Sequence, residues 1–352
     1  MLGFPDADLD VGAELALADA STSRAPGLPA DEELLDANLY AVIELIAARA
    51  PRASSARQYL AIYTRFADRL RAELGRPPVV ADVTVDAIAA YSRELERHGG
   101  RGGGPCAPAT RRAHLMMLRA LLKELGLEQR AGGVRVPSHR SASPETLTVT
   151  EYGNLIRTPD QRGTAGKRDV ALLRLLGDCG LRNLELRQLR ARAVRKPRAN
   201  SRHHFLFVRG KGGVEREIEI PDETYAALER WLSAHPAARR GSALADDTVL
   251  FPALAGPDAG KEPLSQQALA KLLSRYGRRA GIPARLAHPH ALRAYYATTL
   301  SAQGMLIQGI KEKLGHASIE TTARYLAKPG DAETAGEAID RHHQDQNRRR
   351  AA

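Results

Sequence analysis

The sequence predicts a mainly α, two-domain protein: a four-helix domain followed by an α+β domain with one small antiparallel sheet. Three observations lead there. The length, 352 residues, is a prior for about two domains at roughly 150 residues each. Between about residues 31 and 136, apolar residues recur at helical spacing with no strand signal. Beyond residue 146, one pair of β-rich runs joined by a glycine-rich turn stands among helical segments.

Residues 1–30 read as an acidic, poorly ordered leader. Residues 1–36 hold nine acids against one base, Arg24, and 21–31 (STSRAPGLPAD) has linker composition. A first helix is expected in 34–48 (LLDANLYAVIELIAA). A second runs from the Ser54/Ser55 pair to Gly75, with Tyr59, Ile62, Tyr63 and Phe66 on one face and Arg57, Arg65, Arg69 and Arg71 as a solvated surface. A third covers VTVDAIAAYSRELERHGG, ending in glycine before the flexible 99–105 loop. The fourth, PATRRAHLMMLRALLKELG, has Pro108 and Thr110 near its start and Gly126 at its end. The domain so defined spans 31–136.

Residues 137–145 (PSHRSASPE) read as a linker, and a second domain is expected over 146–330. Thr148 and Glu151 match a capping box. The almost solidly apolar 168–179 is a buried helix with Gly180 as its stop. Residues 204–208 and 214–220 flank the turn 209–213 as a β-hairpin, with Glu215, Glu217 and Glu219 on one face by period two. Helices follow in 223–235, 265–281, 290–304, 306–315 and 318–327. Residues 331–352 read as a helix or charged tail, and there is no internal repeat.

Composition narrows the function. Two cysteines, Cys106 and Cys179, make neither a disulfide framework nor a cysteine-rich zinc site. No secretory signal is visible, and the most apolar windows are interrupted by charge, as by Glu44, short of the ~20 apolar residues of a membrane span. A cytoplasmic protein is expected. The formal net charge is +11. Outside the first 36 residues, 51 basic face 32 acidic residues, so residues 37–352 carry +19. That surplus points to a polyanionic partner, nucleic acid before membrane.

Several polar residues invite a functional reading beside a bland one. Arg182 follows the Gly180 break, either paired with an acid or aimed at a ligand. Glu185, three residues on, would hold its guanidinium while other donors face a phosphate. Lys211 sits at the hairpin tip, as a solvated lysine or a mobile arm. His290 and Arg293 stand at i and i+3 on one helix face, behind Pro289, and His316 follows Gly315. No acidic or Cys/His set at ligand spacing joins these histidines, so neither metal nor cofactor is expected. Tyr325 is either half-buried core or a nucleophile whose ionisation nearby cations favour.

In order and spacing these residues resemble the tyrosine recombinases, the phage integrase family, over about residues 50–328. GLRNLELRQL resembles the first arginine box, with Arg182 and Glu185. RGKGGVEREIEIP resembles the hairpin, with Lys211. HALR matches the His-x-x-Arg box, with His290 and Arg293. LGHASIETTARY matches the last box, with His316 and Tyr325. The chain departs at Leu184, where a small residue is common, and at Ala294, where a histidine is common.

The resemblance implies a SAM-like core-binding domain, then a catalytic domain of the tyrosine-recombinase kind, closing on duplex DNA at a specific site. It implies a Xer-like simple recombinase working through a 3′-phosphotyrosyl intermediate without ATP or metal. Tyr325 would be the nucleophile and Lys211 the acid for the leaving 5′-oxygen. Arg182 and Arg293 would be the phosphate clamp, His290 would handle the tyrosine proton, and His316 would bond the phosphate. A homotetramer, or a heterotetramer with a related recombinase, is implied, with 331–342 as the candidate contact between protomers. A type IB topoisomerase and a catalytically idle DNA-binding protein are the competing readings. Covalent cleavage at a specific site that ends in strand exchange separates them.

Overall fold

The computed structural model describes residue 28 and residues 31–50, 53–100, 103–131, 134–136, 145–198, 201–210, 215–238, 243–257, 259–316 and 322–323. The chain divides into two compact units, Met1–Arg140 and Ser141–Ala352.

The first unit contains α1 (Asp31–Asp36), α2 (Leu39–Ala48), α3 (Ala53–Leu74), α4 (Val85–His98), α5 (Pro108–Glu124) and α6 (Glu128–Ala131). The helix expected over 34–48 is therefore two. Asn38 breaks it: its side chain accepts the N–H groups of Tyr40 (3.0 Å) and Ala41 (3.4 Å) and caps α2. The freed backbone pairs elsewhere, Leu39 N–H with the Pro78 carbonyl at 2.9 Å and Val80 N–H with the Ala37 carbonyl at 3.1 Å. An asparagine inside an apolar period reads as a polar helix position, so the periodicity concealed the break.

The core takes one stripe from each long helix. Val42, Ile43 and Ile46 meet Ile62, Tyr63, Phe66 and Leu70 of α3, Ile88, Tyr91 and Leu95 of α4, and Leu115, Leu118, Leu121 and Leu122 of α5. Each such side chain contributes about 1.5–3 kcal/mol by leaving water. Two of the arginines expected on a solvated face are structural. Arg65 donates to the Gly99 carbonyl at 3.0 Å, and Arg69 donates to Glu94 at 2.7 Å, so both tie α3 to α4 and its end.

The second unit contains α7 (Val149–Arg157), α8 (Thr164–Asp178), α9 (Asn183–Gln188), β1 (Val194–Arg195), β2 (His204–Arg209), β3 (Glu215–Ile220), α10 (Asp222–Ala234), α11 (Gln266–Arg279), α12 (Pro289–Ala302) and α13 (Ile307–Leu314). The Thr148–Glu151 capping box forms in both directions, at 3.2 and 2.8 Å. The sheet is antiparallel in the order β1-β2-β3, with Leu206 opposite Ile218 and Val208 opposite Arg216. It has one strand more than expected, because a two-residue strand carries no readable period. Leu206, Val208, Ile218 and Ile220 face the core, and the three glutamates of β3 are exposed as period two predicts.

The buried helix is α8. It begins at Thr164, a turn earlier than expected, and packs between α10 and α12. Trp231 of α10 is fully buried, and its indole N–H donates to the Leu250 carbonyl at 2.8 Å. Among the described residues, no helix is long and apolar enough to cross a membrane.

Candidate active site

Three chain breaks assemble the site. Gly180 closes α8 in the left-handed region (φ 63°), where a Cβ would lie 2.3 Å from the Tyr296 ring. Leu181 is then buried and Arg182 is extended ahead of α9. Glu185 falls at the third position of α9, from which a side chain reaches back to the preceding backbone. It accepts the Arg182 N–H at 2.8 Å and Arg182 Nη1 at 2.8 Å. The expected pairing of Arg182 with Glu185 is thus present.

At the second break, His288 caps α12, its Nδ1 accepting the Ala291 N–H at 3.2 Å. Pro289 opens the helix. His290 lies exposed on the first turn, its ring parallel to that of His288 (7° between planes, centroids 6.5 Å apart). Arg293, one turn on, is buried: Nη1 donates to the Gly180 carbonyl at 2.5 Å and Nη2 to the Leu314 carbonyl at 2.6 Å. Ala294, where a histidine is common, is buried in a small apolar cluster with Ala297, Ile310 and Leu314.

The third break is Gly315, also left-handed (φ 65°), which ends α13 and turns the chain to His316. The last carbonyls of a helix have no partner within it and carry its negative dipole end. Here three arginines take them in succession. Arg216 Nε donates to the Lys313 carbonyl at 3.2 Å, Arg293 to that of Leu314, and Arg182 Nη2 to that of Gly315 at 2.7 Å.

Arg216 is the residue that sequence reasoning missed. Its Nη1 and Nη2 donate to Glu185 Oε1 and Oε2, each at 2.9 Å. A signal existed: Arg216 shares a strand face with the buried Ile218 and Ile220, and a charge on an apolar face needs an opposite charge beside it. Thr322 was also missed. It is buried, and its hydroxyl lies 2.9 Å from His316 Nδ1.

The electrostatics follow. Burial acts to raise the Glu185 carboxyl, but the hydrogen bonds and charge of Arg216, then Arg182, outweigh it and hold the group down at about 2. Burial first, and then Arg293, Arg182, His290 and Arg216, push the His316 imidazole down to about 3. Three guanidiniums surround one carboxylate and a neutral imidazole, so the cluster is in surplus positive charge. Among the described residues, no group of three or more His, Cys, Asp or Glu is placed to hold a metal ion. The structure brings together Arg182, Glu185, Arg293 and His316, with His290 one turn before Arg293. Lys211 and Tyr325 lie outside the described residues, as do the hairpin turn from 211 and the 331–352 tail.

The phage integrase family profile matches residues 145–330. The chain belongs to the phage integrase family. Its relatives are Xer-like, as the resemblance implied. It is 33% identical over 296 residues to tyrosine recombinase XerD of Xanthomonas axonopodis pv. citri, across 75% of this chain and 92% of the relative. It is 34% identical over 209 residues to tyrosine recombinase XerA of Pyrococcus furiosus, across 59% and 66%. Two similar solved structures are XerH site-specific recombinase bound to palindromic difH substrate in a post-cleavage complex and a lambda integrase dimer bound to a COC′ core site. The first has a TM-score of 0.62 at 20% identity, covering 84% of this chain and 83% of that one. The second has 0.56 at 17%, covering 86% and 97%. Both likenesses carry the fold, which is the mainly α, two-domain one with a small antiparallel sheet.

Proposed function

We propose that the arginine cluster binds the scissile phosphate of duplex DNA and that Tyr325 cuts it, in a site-specific recombinase that cleaves and rejoins strands. The observation that carries this reading is the surplus of charge around Glu185. One carboxylate among three buried or half-buried guanidiniums would be a poor arrangement for stability alone, since each desolvated charge costs several kcal/mol. A phosphodiester carries one negative charge and gains more as it passes through a five-coordinate phosphorus, so the surplus matches the transition state better than the ground state.

The chemistry balances without an energy source. The Tyr325 oxygen attacks phosphorus as its proton passes to His290. The bond from phosphorus to the 5′-oxygen breaks, and that oxygen takes a proton from Lys211. The product is a 3′-phosphotyrosyl link and a free 5′-hydroxyl. The phosphodiester energy is kept in that link, and a 5′-hydroxyl from a second duplex reverses the step. Arg182 and Arg293 hold the non-bridging oxygens with fixed donors. With the Thr322 hydroxyl, 2.9 Å away, donating to His316 Nδ1, the neutral ring would keep its proton on Nε2 as a donor to the phosphate.

The partner is double-stranded DNA with a specific site, and the assembly is a tetramer on two such sites, in the cytoplasm with the nucleoid. The domains are 31–136 for core DNA binding and 146–330 for catalysis, joined by 137–145, with residues 331–342 meeting a neighbouring protomer.

The test uses a nicked duplex carrying the site that the full chain selects from a random-sequence pool. Arg182→Ala and Arg293→Ala each lower the cleavage rate by about 10²–10³, the scale of one lost transition-state donor, with affinity within a few-fold of the parent. Cleavage in EDTA proceeds at the parent rate. Equal losses of binding and cleavage, or a magnesium requirement, contradict the reading.

A further inference from the structure

We propose that Arg216 is a positioning residue of the cleavage site: it saturates Glu185, and so keeps Arg293 on its carbonyls with its charge available to the phosphate. This rests on the reading of Arg182 and Arg293 as the phosphate clamp.

The argument is one of stoichiometry. A carboxylate offers about four lone-pair sites. Glu185 receives four donors: the Arg182 N–H, Arg182 Nη1, Arg216 Nη1 and Arg216 Nη2. It is full. Arg293 Nη1 stands 4.0 Å from Glu185 Oε2, close enough for an ion pair but beyond hydrogen-bond reach, and its Nη1 hydrogen bond goes to the Gly180 carbonyl. If Arg216 were gone, two of the four sites would be vacant in a buried carboxylate, and the nearest further cation would be Arg293. Its guanidinium would turn toward Glu185, pairing there rather than facing a phosphate.

A second observation supports the placement. Gly315 lies flat against Arg216: a Cβ there would come within 3.1 Å of Nη1, 3.2 Å of Cδ and 3.3 Å of Cζ. The turn that delivers His316 is thus shaped around this arginine. Its Nε bond to the Lys313 carbonyl joins β3 to the end of α13. Arg216 has a side chain only 10% exposed, with all three of its nitrogens engaged, so it steers the other arginines rather than meeting the substrate.

The experiment measures single-turnover covalent cleavage of the selected nicked duplex by the full chain, with DNA affinity and thermal midpoint alongside. Arg216→Met is expected to slow cleavage by about 10² at affinity within a few-fold of the parent. The deciding variant is Arg216→Met with Glu185→Gln. A neutral amide no longer draws Arg293, so the double variant should cleave at least about tenfold faster than Arg216→Met alone, a coupling of contacting residues. A residue that merely supports the fold would instead leave Arg216→Met cleaving at the parent rate well below its thermal midpoint, with Glu185→Gln recovering the midpoint alone by removing an unpaired buried charge. A parent rate for Arg216→Met, or a double variant as slow as the single or slower, overturns the proposal. Should Arg216→Met not fold, Arg216→Lys decides: it keeps the charge but loses the two-pronged grip, so at least a tenfold slowing is expected, and a parent rate overturns it. Arg182→Ala is run beside them. If it cleaves at the parent rate, the clamp itself is wrong; if it fails while the Arg216 variants do not, only Arg216 is misassigned.

Discussion

His316 shows how the neighbours of a residue settle its chemistry. A histidine ordinarily changes charge near pH 6.5, yet burial and the flanking cations hold this one at about 3. It therefore stays neutral from pH 5 to pH 9, and in the proposed reaction it would serve as a hydrogen-bond donor rather than a proton store. The expected outcome is that His316→Ala slows cleavage by the same factor at pH 6 and at pH 8. A loss that shrinks at pH 6 would mean that the native ring ionises there. The same shift bears on stability. The unfolded chain takes up this proton near pH 6.5 and the folded one only near 3, so the stabilisation is complete above pH 6.5 and declines as pH falls toward 3. Glu185 acts in the same sense at lower pH: its carboxyl titrates near 2 when folded against an ordinary 4.5, so its contribution is lost as pH falls through that interval.

At the scale of elements, the site depends on where helices stop. Gly180 ends α8 and lends its carbonyl to Arg293, while Gly315 ends α13 and frees the carbonyls that hold Arg182, Arg216 and Arg293. Gly180→Ala meets both a left-handed backbone and the Tyr296 ring, at a combined cost of about 2–5 kcal/mol. Gly281→Ala, equally left-handed (φ 74°) but facing open space, costs only about 1–2 kcal/mol. Urea midpoints of the two variants measure the difference, and equal midpoints would show that Tyr296 does not confine the turn. These stops were legible in the sequence, because glycine after an apolar helical run has a conformational reason to be there. Arg182, Glu185, His290, Arg293 and His316 were legible as candidates beside such breaks, and only their shared order, through the family resemblance, suggested a common site. Arg216 was not, because its partner is 31 residues away along the chain and only the sheet brings them together. The Asn38 break was hidden likewise, by backbone pairing with Pro78 that no local pattern announces.

The whole molecule adds the field in which the site works. With +19 outside the acidic first 36 residues, binding to duplex DNA should release many counterions. The expected result is a linear fall of log affinity with log salt, with a slope of several units for selected and random duplexes alike. Arg216→Met should leave that slope unchanged, because the residue is turned to Glu185 rather than to solvent. A shallow slope, near one, would mean that the basic surplus does not face the DNA.

The central claim is that this arginine cluster serves a tyrosine nucleophile at position 325. The most direct measurement is tandem mass spectrometry of the covalent protein–DNA adduct, trapped on the selected nicked duplex and trimmed with nuclease. The expected result is a nucleotide mass carried on Tyr325, with no adduct formed by Tyr325→Phe. A nucleotide on any other residue, or a normal yield of adduct from Tyr325→Phe, would contradict it.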